Sequence, residues 1–332
     1  MAAAAIKSNQ VRGLRLITSV PVLADNSQFT IDIPRGPAVE TVGIHLFGTI
    51  SLSVTGTATR NAAAYRMLSK CDFVLNSNVT FDSISGQQLA ALYFTRRNLP
   101  LITNPAFGVG ATSFDVTFLF DRVGLDMVRP KDCVLKTDVG VANLQLRIQL
   151  GALSSMYTGA PTYTYTTVTM EVFVIDYQEQ KAADGTTPTP KFYLKRTGQT
   201  QAIGGASTQN QYKLNTGNRL RAVSVRTLVP ATGEPSTAAA PLMTRFGIKR
   251  AGDQRVDISA SALAVLNSSQ YDASASGLMT GQYVWDFANV GQTNGSRYSE
   301  FWPIPSSADT FLVIDVNAAT TLDIAVMEGV DL

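Results

Sequence analysis

The sequence predicts an all-β chain made of two tandem units of about eight strands, each with one short helix after its fourth strand. Three observations predict it. Period-two alternation of Thr, Val, Ile and aromatic residues with polar ones runs through most of the 332 residues, the pattern of sheets with one buried face. Only two segments have helical spacing, and they are almost the same phrase: SISGQQLAAL at 83–92 and DISASALAVL at 257–266. The blocks around these two phrases also match one another, in one order along the chain.

In the first unit, strands are expected near 28–33, 39–46, 70–75, 79–82, 113–120, 132–136, 142–151 and 167–177. Turn residues separate the runs, among them Gly36-Pro37, Pro130, Asn294-Gly295 and Pro303 to Pro305. The first helix has Ser85 as its cap and Gln88 three residues on, a capping box, followed by Leu89, Leu92 and Tyr93. The second has Ser259 as its cap, with Ala262, Leu263 and Leu266 expected on one face.

Sliding the chain along itself matches Ile31, Gly36, Val39, Val42 and Ile44 with Tyr212, Gly217, Leu220, Val223 and Val225 at an offset of 181. The helix blocks follow at 174, where Val74, Ile84, Leu89 and Leu92 meet Ile248, Ile258, Leu263 and Leu266. Phe114 and Phe118 meet Tyr283 and Phe287 at 169, Leu146 and Ile148 meet Leu312 and Ile314 at 166, and TTVTMEV at 166–172 meets TTLDIAV at 154. A falling offset is what loop shortening in a second copy produces. Eight strands in two Greek keys make a jelly roll, so the expected architecture is a double jelly roll. Its boundaries are a basic amino-terminal extension at 1–27, a first roll at 28–178, a Gly-, Thr- and Pro-rich linker at 179–208 and a second roll at 209–332.

Composition and motifs exclude most chemistry. A net charge of +2 gives no wholesale attraction to nucleic acid, although Lys7, Arg12 and Arg15 make the amino terminus the basic end. The opening residues lack the pattern of a signal peptide, so synthesis in a cytoplasm is expected. Cys71 and Cys133 are too few for a disulfide framework or a zinc site and are expected as reduced thiols. His45 is the single histidine, so neither a cupin-type metal site nor a Ser-His-Asp triad can be assembled around several imidazoles. It is expected on the polar face of a strand. GVGATS at 108–113 lacks the lysine of a phosphate loop. Asp121 with Asp126, and Asp309 with Asp315, are read as strand-end and loop acids. The doublets Arg96-Arg97, Lys195-Arg196 and Lys249-Arg250 are read as solvated ends, and the glycosylation-type triplets at Asn78, Asn267 and Asn294 as unused. No catalytic residue, cofactor, metal or small-molecule substrate is expected.

The paired blocks SISGQQLAAL and DISASALAVL, the two eight-stranded units, the basic extension and the lack of catalytic residues together resemble the double jelly-roll major capsid proteins of tailless icosahedral viruses, the tectivirus and adenovirus lineage. Short loops and high Ala, Thr and Gly content lean toward a bacterial virus. The resemblance implies a virion protein that forms a homotrimer, a pseudo-hexagonal capsomer that meets neighbouring capsomers and other capsid proteins such as a penton. It also implies that the amino-terminal segment faces the interior, where Lys7, Arg12 and Arg15 would touch an internal lipid membrane or packaged genome; a disordered tail or an arm clamping a neighbour is the competing expectation. The rival function is a carbohydrate-binding tandem β-sandwich, a spike or adhesin, for which the tyrosines of MYTGAPTYTYTT at 156–167 are the candidate sugar-stacking residues, expected on an extended loop.

Overall fold

The computed structural model describes residues 11–331 apart from 37, 54–58, 61, 98–108, 122–134, 136, 138–140, 160–161, 179–191, 237–240, 252, 271–280 and 288–301. The first half runs β1 (Val11–Pro21), β2 (Gln28–Asp32), β3 (Ala38–Leu52), β4 (Leu68–Leu75), β5 (Val79–Ile84), α1 (Gly86–Arg97), β6 (Gly110–Asp121), β7 (Leu144–Leu150) and β8 (Tyr163–Gln178). The second runs β9 (Phe192–Ile203), β10 (Ser207–Lys213), β11 (Arg219–Leu228), β12 (Met243–Arg250), β13 (Asp253–Ser259), α2 (Ala260–Gln270), β14 (Gln282–Asp286), the two-residue β15 (Trp302–Pro303), β16 (Thr310–Val316) and β17 (Thr320–Asp331).

Each pairing of the first half recurs in the second. In the first, β2 pairs with β7, β7 with β4, β4 with β5, β6 with β3, β3 with β8 and β8 with β1. In the second, β10 pairs with β16, β16 with β12, β12 with β13, β14 with β11, β11 with β17 and β17 with β9. Every one of these ladders is antiparallel. Each half therefore packs two sheets around its own core, one containing Ile44, Phe118, Leu146 and Val172 and the other Val225, Phe246, Leu312 and Ile324. The alternation read from the sequence supplies these inward residues. Gly36 and Gly217 take φ of 115° and 85° in the same turn of each roll, a backbone conformation that side chains resist.

The ladders also test the offsets. Ile31 pairs with Leu146 and Tyr212 with Leu312, so 181 and 166 hold together. Cys71 pairs with Ile84 and Phe246 with Ile258, which keeps 174 at the start of the helix block. In β4, however, Phe73 rather than Val74 corresponds to Ile248, beside a bulge. Ile44 pairs with Phe118 and Val225 with Tyr283, an offset of 165 where 169 was expected. Matching bulges at Val39/Thr41 and Leu220/Ala222 set Asp176 against Glu328, an offset of 152 rather than 154.

Two expected segments are corrected. Residues 11–21, within the basic extension, form β1 on the flank of β8, and residues 192–203, within the expected linker, form β9 on the flank of β17. They are one element seen twice. Both escaped the periodicity because neither has a clean apolar face: a bulge at Ile17 interrupts β1, and β9 buries a charged residue, Arg196, in its middle.

Both helices start where expected. The amide of Gln88 donates to Ser85 Oγ at 3.2 Å and the amide of Ser85 to Gln88 Oε1 at 3.0 Å, while the amide of Ala262 donates to Ser259 Oγ at 3.2 Å. Leu89, Leu92 and Leu263 are buried. In α2, Ala262 and Leu266 face outward instead of sharing the buried side with Leu263. Asn267 takes that side, exchanging hydrogen bonds with the backbone of Val284 at 2.8 Å in both directions, which leaves its amide buried and unsuited to glycosylation.

Candidate assembly surface

The two rolls are joined edge to edge. β9 lies between β17 and β5, and its contact with β5 is parallel, through Asp82 with Arg196 and Ser83 with Thr197. This merges one sheet of each roll into a single nine-stranded sheet. Arg196, expected as part of a solvated doublet, is wholly buried here. Its backbone amide donates to Asp82 Oδ1 at 2.9 Å, its guanidinium lies 3.5 Å from the same carboxylate, and it donates to the Asp121 carbonyl at 2.5 Å. The planar fork of Arg196 thereby reaches both Asp82 and the Asp121 carbonyl of the first roll.

Helix α1 completes the joint by packing on β17, β11 and β14 of the second roll as well as on its own roll. Gln88 Nε2 donates to Asp323 Oδ1 at 2.5 Å, and Arg226 holds the other oxygen of Asp323 at 2.5 Å. Gln282 Nε2 donates to the Ala91 carbonyl at 3.2 Å. Below the helix, Arg66 reaches Glu234 at 3.0 Å and Arg60 reaches it at 3.5 Å. Burial pushes the Arg66 guanidinium down to about 10, with Glu234 opposing the shift. Ala222, Ala325 and Met327 of the second roll belong to the first roll's apolar core.

The expected surface residues fall as follows. Lys7 lies outside the described residues, as do Cys133, Asp126 and Asn294. Arg12 and Arg15 are on β1; Arg12 makes a bidentate pair with Glu40 at 2.8 and 2.9 Å, and Arg15 donates to Asp176 at 2.6 Å. Between and beyond them Leu14 and Leu16 are exposed on the same edge strand. Cys71 is buried.

Among the described residues no group of three or more His, Cys, Asp and Glu could hold a metal ion. His45 is half-buried on β3, stacked on Phe47 at 4.5 Å, with Nε2 2.9 Å from Asp115 and Nδ1 3.5 Å from Glu171. The candidate sugar-stacking tyrosines are tied down instead of lying on an extended loop. Tyr157 is buried, and β8 already begins at Tyr163. Tyr163 and Tyr165 donate their hydroxyls to the Asp25 carboxylate, the latter at 2.5 Å, and the Leu153 amide adds a third donor at 3.0 Å. Burial raises the Asp25 carboxyl, but these donors outweigh it and hold the group below its ordinary range. Glu328 is the opposite case: burial pushes it above the usual carboxylate range although Asn215 and Asn218 donate to Oε2 at 2.8 and 3.0 Å.

No protein-family model and no curated protein sequence matches the chain. Solved structures do. The structure described as the STIV MCP aligns over 96% of this chain and 97% of its own, with a TM-score of 0.72 and 16% identity. A chain from the atomic structure of Sulfolobus Turreted Icosahedral Virus aligns over 96% and 90%, with a TM-score of 0.70 and 16% identity. The major capsid protein P2 of bacteriophage PM2 aligns over 97% and 98%, with a TM-score of 0.61 and 14% identity. With nearly the full length of those chains aligned, this protein has the double jelly-roll fold found in viral major capsid proteins.

Proposed function

We propose that the chain is a major capsid protein of an icosahedral virion and that three copies form a pseudo-hexagonal capsomer. The observation that carries this reading is the duplication of every ladder in two rolls locked edge to edge, in a fold shared end to end with the PM2 capsid protein. A rigid tandem of two like rolls offers six similar lobes in a threefold ring, and identical subunits can then bury the remaining strand edges. Neighbouring capsomers, other capsid proteins such as a penton, and synthesis in a host cytoplasm follow from that role.

For the amino terminus we propose an interior position, with lipid or genome contact carried chiefly by the segment containing Lys7. Arg12 and Arg15 spend much of their charge on Glu40 and Asp176 of their own roll. The test is the mass of the purified protein by light scattering, with negative-stain images of the same peak. A particle of about three times 35.6 kDa with a hexagonal outline is expected. A clean monomer at assembly concentrations would overturn the capsomer reading.

A further inference from the structure

The joint between the two rolls has a vacant counterpart on the surface. The matching bulges make Leu14 the equivalent of Arg196 and Leu16 the equivalent of Gly198, since Leu14 pairs with Ile175 where Arg196 pairs with Met327, and Leu16 with Phe173 where Gly198 pairs with Ala325. β1 thus stands to the first roll as β9 stands to the second. β9 carries β5 on its outer side; among the described residues β1 is the edge of its sheet. By the same equivalence β13 matches β5 and α2 matches α1, and β13 is also an edge.

Exposure agrees with this arrangement. Among the described residues seven large apolar side chains are strongly exposed, and four of them lie on these two elements: Leu14 at 71% and Leu16 at 58% on β1, Val265 at 68% and Leu266 at 36% on α2. Three of their equivalents in the joint, Arg196, Ala91 and Leu92, are buried, and the fourth, Gly198, is half-buried. The volumes are exchanged as well. Gly198 leaves room for Gln88 of α1, whereas Leu16 is large and the residue matching Gln88 is Ala262. Likewise Ala325 beneath α1 corresponds to the larger Phe173. The register would place Val256 beside Leu14, and Asp257, which is paired with Arg245, beside Arg15, which is paired with Asp176.

We infer that β1 and the outer face of its sheet receive β13 and helix α2 of a second copy of this chain, in the geometry by which β9 and β17 receive β5 and α1 within one copy. The contact is heterologous, so every copy has one donor and one acceptor face and successive copies close into a ring or continue as a filament. This rests on the self-assembly reading above but names the surface, which a trimer alone does not. Alternation of the covalent joint with this contact makes all neighbouring rolls in the ring alike.

The experiment pairs L16C with A262C in a chain carrying C133S, treated with a short bismaleimide. Cross-linked species up to three chains are expected, and none from either single cysteine. Two further variants, L14D/L16D and V265D/L266D, are expected to remain folded by circular dichroism and to fall in mass from three chains to one. Mixed together, they should form a one-to-one dimer, because each keeps the face that the other has lost. Trimers that survive both variants, with no cross-link, would overturn this interface and leave the trimer standing. A monomeric unmodified protein would overturn both.

Discussion

Gly198 on β9 lies so close beneath Gln88 of α1 that a Cβ atom there would collide with the Gln88 amide group. Gln88 cannot easily step aside, since the same amide closes the capping box with Ser85 and donates to Asp323. One glycine thereby lets the helix of one roll sit on the sheet of the other.

G198V is accordingly expected to destabilise the chain by about 1–3 kcal/mol, the range for overpacking a filled site. Urea unfolding measures it. Q88A made in the G198V background should restore part of the loss, because it removes the group that collides.

The buried pair of Asp82 and Arg196 holds the parallel junction. Replacing one partner strands the other without its counter-charge, so D82L or R196M is expected to cost about 3–5 kcal/mol. The double variant should cost less than the sum of the two, and a double-mutant cycle by denaturant unfolding measures the difference.

Asp25 ties the start of β8 to the loop before β2 through Tyr163, Tyr165 and the Leu153 amide. Its carboxyl is held below the unfolded value, so the folded state binds the proton less tightly. The stability it contributes is present above about pH 4 and is lost as pH falls through the folded value. D25N should lower stability at pH 7 by about 1–2 kcal/mol. Below pH 4 the curves of D25N and the unmodified chain should converge.

Glu328 has the reverse sign. Burial raises its pKa above the unfolded value, so the folded state gains stability as pH falls through the raised value and bears a cost at neutral pH. E328Q should melt higher than the unmodified chain at pH 7, and the gap should close toward acid pH. Thermal melts between pH 5 and 8 measure it; a gap that widens on acidification would contradict the assignment.

The sequence alone was sufficient for the class of fold, the repeat and both helix starts. Those properties are local: alternation marks a half-buried strand, and a serine three residues before a glutamine or alanine amide caps a helix wherever it occurs. Register was legible only in part: the offsets 181 and 166 hold for β2 and β7, and 174 holds at Ile84. The offsets expected for β6 and for β8 were out by four and by two residues, even numbers in both cases, because alternation is unchanged when a strand slides by two. Only the partner strand, as Ile44 with Phe118 or Thr41 with Ile175, sets the position. Arg196 on β9 and the leucines of β1 were hidden for a related reason. Their environment comes from another roll, not from their own sequence neighbours, so a buried arginine read as solvated and an edge strand as a tail. The tertiary structure decided what lies on each flank of a strand, and with it which surfaces of the chain are covered by its own two rolls.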